Sequence, residues 1–319
     1  MTNSLNRPYT RLTMRRRYEA WFLRFDLADG SGAWWFRYLL MNVGRGGCPD
    51  TPASGPVQIW ATWFPKTGHP ETFIQEFPIR ELRLGSRNSG DPSLLILEAG
   101  PNRIEENSCR GAIAVRGQPI SWDLRYRSGF GVTFSNKGWI GFSRTPHSDA
   151  MFSGEIRFGD QIFRGDPLGV GLQGHNCGFR HRNFWTWTHA CFPQSDGSIS
   201  TLEALVYEMP LGLVFRKAIL WHHGQTSVFR KLRESSRDRE GLRWTFQVRS
   251  GAGTVEVELE GGGESLHRLP YVKTDCSGTF EVSNNSRARA RVRLMRTGSG
   301  AGEEFSTEHG AVLEMTGDY

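Results

Sequence analysis

Alternation with a period of two, broken every few residues by glycine, is the pattern that most limits how this chain can fold. Tyr18 to Asp26 places Glu19, Trp21, Leu23 and Phe25 on one side, as a half-buried strand requires. Ile120 to Tyr126 sets Ile120, Trp122, Leu124 and Tyr126 against Ser121, Asp123 and Arg125. Ala33–Met41 and Val57–Phe64 read as further strands, as do Trp185–Phe192, Leu202–Met209, Leu213–Trp221, Leu242–Val248 and Thr254–Glu260. No helix-period segment longer than about two turns stands out. With 38 Gly and 15 Pro in 319 residues, short strands and tight turns are the expected grammar. The aromatic content excludes disorder.

Clusters of Gly and Pro at 44–56, 85–92, 165–174 and 261–263 are expected to be loops. The stretch Gly165–Asn183 separates two strand-dense halves. The expected organisation is all-β: two antiparallel barrels, 1–178 and 179–319, closed because closure removes exposed edges. The five cysteines, Cys48, Cys109, Cys177, Cys191 and Cys276, are odd in number and scattered, so no disulfide framework is expected. The N-terminus is basic, with no apolar run of the signal-peptide kind, and no stretch approaches the ~18 apolar residues of a membrane span. A cytoplasmic protein without stable membrane insertion is expected, with peripheral membrane contact and either a monomer or a homodimer left open.

The net charge of +6 gathers visibly at Arg287–Arg293, where four arginines share one face. Glu256, Glu258 and Glu260 line one face of another strand. Cross-strand ion pairing explains this better than nucleic-acid binding, so no nucleic-acid partner is expected. Gly169 to Gly174 spells G-x-G-x-x-G, but no helix follows, and the dinucleotide reading fails. His175, Cys177, His181, His189 and Cys191 fall within a short span at spacings that match no familiar metal site; no metal and no cofactor are expected.

Period two puts Trp185, Trp187, His189 and Cys191 on one strand face. Two indoles and an imidazole suit an apolar cavity with one proton donor or acceptor, and a packed aromatic core suits them equally. His175 and Asn176 are expected on a loop leading to the same mouth.

GHNCG at 174–178 and FWTWTHACF at 184–192 resemble the "HNWG … W-x-W-x-H" signature of the tocopherol cyclase-like and carotenoid hydratase (hydroxyneurosporene synthase) superfamily. Tyr18–Leu23, the Trp34-Trp35-Phe36-Arg37-Tyr38 run, Ser121–Leu124 and Gly278–Asn285 are similar to further strands of that family, in chain order. The resemblance implies two lipocalin-like barrels packed together. It also implies an apolar pocket in which a polyene or prenylated substrate is folded without a redox cofactor, as in tocopherol cyclase, carotenoid hydratase and fungal Diels–Alderases. Cys177 stands where the family has a tryptophan.

Alkene protonation needs an acid, exclusion of water and a stabilised cation. Glu19, beside Trp21, is the first candidate acid, because burial favours a neutral carboxylic acid; Glu203 is the second, and His175 and His189 are further acid–base candidates. Asp123 reads as a structural ion pair. Candidate substrate-binding residues are Trp21, Trp35, Trp122, Asn176, Cys177, Trp185, Trp187 and Tyr207. The expected activity is that of a cofactor-independent cyclase, hydratase or isomerase acting on an apolar isoprenoid or polyene. A pericyclic Diels–Alderase-type cyclase and a non-catalytic carrier of an apolar lipid or pigment are the alternatives.

Overall fold

A computed structural model describes residues 5–51, 54–85, 95–115, 117–136, 140–250, 253–296 and 302–317. The chain is all-β: apart from three single-turn 3-10 segments, its regular elements among these residues are strands. They form one sheet of twelve strands and one of ten.

The first sheet begins with β1 (Tyr18–Leu27), β2 (Gly32–Met41), β3 (Val57–Pro65) and β4 (Glu71–Phe77). It continues through β5 (Leu82–Leu84), β6 (Leu95–Ala99), β7 (Asn102–Glu105) and β8 (Ser108–Val115). β9 (Gln118–Arg127), β10 (Val132–Asn136), β11 (Gly141–Phe158) and β12 (Gln161–Gly178) complete it. The order is β4-β3-β2-β1-β12-β11-β9-β8-β7-β6-β5, with β10 paired to β11. The sheet curls into a nearly closed antiparallel barrel, and the Ala114 amide on β8 donates to Gln75 Oε1 on β4 at 3.0 Å. Odd-numbered β1 residues Trp21, Leu23 and Phe25 enter the core with Trp34, Phe36, Trp122 and Phe152. The alternation read in the sequence is therefore the in–out alternation of the barrel.

The second sheet contains β13 (Trp185–Pro193), β14 (Ile199–Glu208), β15 (Val214–His222), β16 (Gln225–Phe229) and β17 (Leu232–Asp238). β18 (Arg243–Ser250), β19 (Gly253–Glu260), β20 (His267–Val272), β21 (Thr279–Arg296) and β22 (Gly302–Thr316) follow. Its order is β16-β15-β14-β13-β22-β21-β19-β18-β17, with β20 on β21. Phe192, Leu202, Val206, Trp244, Phe246 and Leu313 belong to its own core.

Two compact units result, and neither is contiguous in sequence. One comprises Met1–Trp63, Glu71–His181 and Val272–Phe280; the other Phe64–Pro70, Arg182–Tyr271 and Glu281–Tyr319. Cys48 and Cys276 form one disulfide across 228 residues, a pairing the scattered cysteines did not signal, while Cys109, Cys177 and Cys191 remain thiols. The partner is set by the tertiary fold, and no local spacing reveals it. The bond ties Val272–Phe280 into the first unit, helped by Asn42, whose Nδ2 donates to the Thr274 carbonyl at 2.9 Å.

A second correction concerns 165–174, which is strand and not loop. Its glycines serve close approach instead of turning. A Cβ on Gly169 would lie 2.0 Å from the Asp26 carbonyl, one on Gly171 1.9 Å from that of Arg24, and one on Gly174 2.2 Å from the Phe22 ring. The reversal sits at Gly159-Asp160, with Gly159 at φ 57.

The charge pattern of β19 and β21 is realised by antiparallel pairing of Glu256, Glu258 and Glu260 with Arg293, Arg291 and Arg289. Glu304 on β22 bridges Arg291 at 2.8 Å and Arg293 at 2.9 Å. The fourth arginine, Arg287, is buried and donates to the Pro65 carbonyl at 2.9 Å. No helix of the described residues is long and apolar enough to cross a membrane.

Replacing Gly171 with alanine should cost about 1–3 kcal/mol, because the new methyl meets backbone that cannot yield. Urea denaturation followed by tryptophan fluorescence measures this; a loss under ~0.5 kcal/mol, the range of neutral surface changes, would contradict the close-approach role.

Candidate active site

β1 and β12 pair antiparallel with Trp21 opposite His175 and Glu19 opposite Cys177. Side chains directly opposite share a sheet face, so Glu19, Trp21, His175 and Cys177 continue the core-facing row of Trp21, Leu23 and Phe25. An ionisable pair in that position has to be satisfied by hydrogen bonds, or burial expels its charge. Glu19 and His175 have no exposed side-chain surface, and Glu19 Oε1 lies 2.8 Å from His175 Nε2.

The remaining partners come from residues 5–10. The Tyr9 amide donates to Glu19 Oε1 at 2.7 Å and the Thr10 amide to Oε2 at 2.6 Å. His175 Nδ1 faces the Leu5 carbonyl at 2.8 Å, and Trp21 Nε1 donates to the Asn6 carbonyl at 2.9 Å. The N-terminal segment thus meets the pair with three backbone groups and Trp21 with a fourth. Trp21 stacks on the His175 ring at 4.6 Å and 17°. Phe142 meets the same ring edge-on at 4.7 Å, with the Arg144 guanidinium 4.0 Å above Phe142.

The hydrogen inventory restricts how the pair shares its hydrogens. A carbonyl only accepts, so Nδ1 carries a hydrogen. Burial drives the Glu19 carboxyl pKa up, but the His175 hydrogen bond and charge and the Thr10 and Tyr9 amides more than offset this, and the net shift is downward. With the carboxylate ionised and accepting, Nε2 carries a hydrogen as well. These contacts are the ones a buried imidazolium–carboxylate pair would make. The sequence reading of Glu19 as the neutral acid is corrected accordingly: its burial is as expected, but three donors hold it charged.

Cys177 lies beside the pair, and its Sγ accepts from Arg17 Nη1 at 3.2 Å; burial pushes its thiol pKa up. Asn176 sits on the opposite face of β12 from His175, beside Ala20. His175 and Asn176 are within β12, not on the loop expected for them. Trp35 pairs with Arg24 on the outer face of β1–β2. Trp122 is in the core, and its Nε1 donates to the Tyr38 hydroxyl at 2.9 Å.

The remaining candidates belong to the second unit. Trp185, Trp187, His189 and Cys191 do share one face of β13, and Ala190 and Phe192 on the other face enter that unit's core. On the same face His189 lies opposite Glu203 and Trp185 opposite Tyr207. Trp187 Nε1 donates to Glu203 Oε1 at 2.9 Å and Trp185 Nε1 to Glu314 Oε1 at 2.8 Å. Tyr207 stacks on Phe215 at 4.7 Å. Glu19 thus meets His175 in the first unit, and Glu203 lies opposite His189 in the second.

Sequence reasoning missed Leu5, Tyr9, Thr10, Arg17, Phe142 and Arg144. Only the polarity of the N-terminal segment hinted that it could serve buried acceptors.

The sequence matches no protein-family model and no curated protein. Its fold is shared with solved structures. CghA with Sch210972 is 12% identical over 95% of this chain and 89% of that one, with a TM-score of 0.62. Kievitone hydratase from Nectria haematococca is 11% identical over 99% of this chain and 95% of that one, with a TM-score of 0.56. At such identity the likeness is one of fold, and the chemistry rests on the residues above.

Glu19→Gln should destabilise the protein by about 3–5 kcal/mol near neutral pH, the cost of breaking a buried pair. The Glu19 carboxyl sits below its ordinary 4.5 when folded, so its contribution is complete above that pH and is lost as pH falls through the folded-state value. Melting temperatures of parent and variant should therefore converge on acidification below about 4.5; a constant gap would contradict the ion pair.

Proposed function

We propose that the chain is a cofactor-independent acid–base enzyme that protonates an apolar, unsaturated small molecule of the isoprenoid or polyene class, leading to cyclisation, hydration or isomerisation. The observation that carries this reading is the buried His175 ring, held 2.8 Å from Glu19 on one nitrogen and 2.8 Å from the Leu5 carbonyl on the other. The fold shared with kievitone hydratase and CghA, and the resemblance to the tocopherol cyclase-like and carotenoid hydratase superfamily, support it.

Because His175 has no exposed surface, substrate reaches it only when residues 5–10 move. The Leu5 carbonyl occupies the place of the proton acceptor. With Leu5 withdrawn, Nδ1–H faces the substrate double bond while Nε2–H stays on Glu19. Proton transfer from Nδ1 forms one C–H bond and leaves a carbocation, with His175 neutral. The Trp21 face stabilises that cation. The cation then loses a proton to Nδ1 after rearrangement or ring closure, or it captures water, whose extra proton returns to Nδ1. In each case the imidazolium is regenerated. Exclusion of bulk water by the barrel wall protects the cation from premature capture.

A pericyclic cyclisation is the second reading. The close aromatic packing of Trp21 and Phe142 around His175 favours it, since holding a reactive conformation needs shape more than acid.

Turnover of prenylated phenols and linear polyenes in deuterium oxide separates the two. Protonation predicts one deuterium bound to carbon in the product, and a fall in kcat of about 100-fold or more for His175→Gln, with native mass spectrometry confirming that the variant is folded. Unlabelled product formed at an unchanged rate by the variant would overturn protonation in favour of the pericyclic reading. A ligand that co-purifies and is never converted would overturn both in favour of a carrier.

A further inference from the structure

His222 closes β15, His223 and Gly224 form the two-residue turn to β16, and His222 pairs with Gln225. Adjacent residues of a strand point to opposite faces, so two consecutive histidines would ordinarily diverge. Here His223 has φ 48 and Gly224 φ 72, the positive values of a type I′ hairpin turn. The left-handed backbone swings the second imidazole back, and the two rings lie 4.0 Å apart. Both meet the carboxylate of Glu303, at the start of β22. Glu303 Oε1 is 2.9 Å from His222 Nε2 and 3.6 Å from His223 Nε2. One ligand atom from each of the three residues lies within 4.8 Å of the others.

The His222 ring is fixed on two further sides. Its Nδ1 is 2.7 Å from Ser200 Oγ, and its face stacks on Phe305 at 5.0 Å and 18°. Ser200 Oγ lies where it can accept the Nδ1 hydrogen, the second-partner arrangement that orients an imidazole for a metal, and a metal ion would take the place of the hydrogen that Nε2 shares with Glu303. Two nitrogens and one carboxylate oxygen are ligands that suit a first-row divalent ion. Ligand distances of about 2.0–2.2 Å around tetrahedral zinc place donor atoms about 3.3–3.6 Å apart, so the three side chains, already within 4.8 Å of one another, need only small shifts to close on an ion.

We propose that His222, His223 and Glu303 form a binding site for a divalent transition-metal ion of the zinc type, with at least one coordination position left to water. The site is independent of the Glu19–His175 chemistry. The five residues 175, 177, 181, 189 and 191 considered from the sequence do not form it. The spacing of the true set, two adjacent residues and a third far along the chain, matches no sequence motif and depends on the turn.

Calorimetric titration of the chelator-stripped full chain with zinc chloride tests the site, with magnesium chloride as the hard-cation control. His223→Asn retains the turn, since Asn-Gly is its favoured pair, and Glu303→Gln changes only a half-exposed side chain. The proposal predicts one zinc ion per chain, affinity at least ~100-fold weaker in each variant, no response to magnesium, and a zinc-dependent rise in melting temperature in the parent alone. Absence of stoichiometric zinc binding, or equal binding by the variants, would overturn it.

Discussion

A charged pair inside an apolar barrel must be satisfied atom by atom, and in this protein that requirement organises everything around it. Glu19 and His175 neutralise one another, yet the carboxylate has lone pairs to fill and the imidazolium a second N–H to place. Those needs are met by the amides of Tyr9 and Thr10 and the carbonyl of Leu5. The segment before the first strand is therefore bound to the site by the same atoms that determine its charge. Residues 5–10 thus supply two donors to Glu19 and an acceptor to His175.

The contact of β1 with β12 makes this possible. Gly169, Gly171 and Gly174 let the strands approach where a side chain would collide with backbone or with Phe22. That approach carries the register placing His175 across from Trp21. The same glycines give the sequence its loop-like look, and so a stretch read as a linker turns out to be the strand bearing the histidine.

What could be read in advance follows from the range of the interaction involved. The in–out alternation of Glu19, Trp21, Leu23 and Phe25 was legible because it is a property of one strand. The acidic and basic faces of β19 and β21 were legible because charge complementarity is visible in composition, although Arg287 left the pattern to bond the Pro65 carbonyl. Long-range partners were not legible. Cys48 finds Cys276, and Glu19 receives amide hydrogens from a segment with no marking pattern. The protonation of Glu19 was misread for the same reason: burial alone raises a carboxyl pKa, and the three donors that reverse it lie elsewhere in the chain. His175 and His189 looked like neighbours in sequence and belong to different units.

The proposed chemistry requires His175 to be an imidazolium while buried. Nitrogen-15 NMR of the ring nitrogens in histidine-labelled protein tests it most directly. At neutral pH both His175 ring nitrogens are expected to carry slowly exchanging hydrogens, and Glu19→Gln is expected to abolish this state. A single protonated nitrogen in the parent, with the other signal in the range of a bare lone pair, would contradict it.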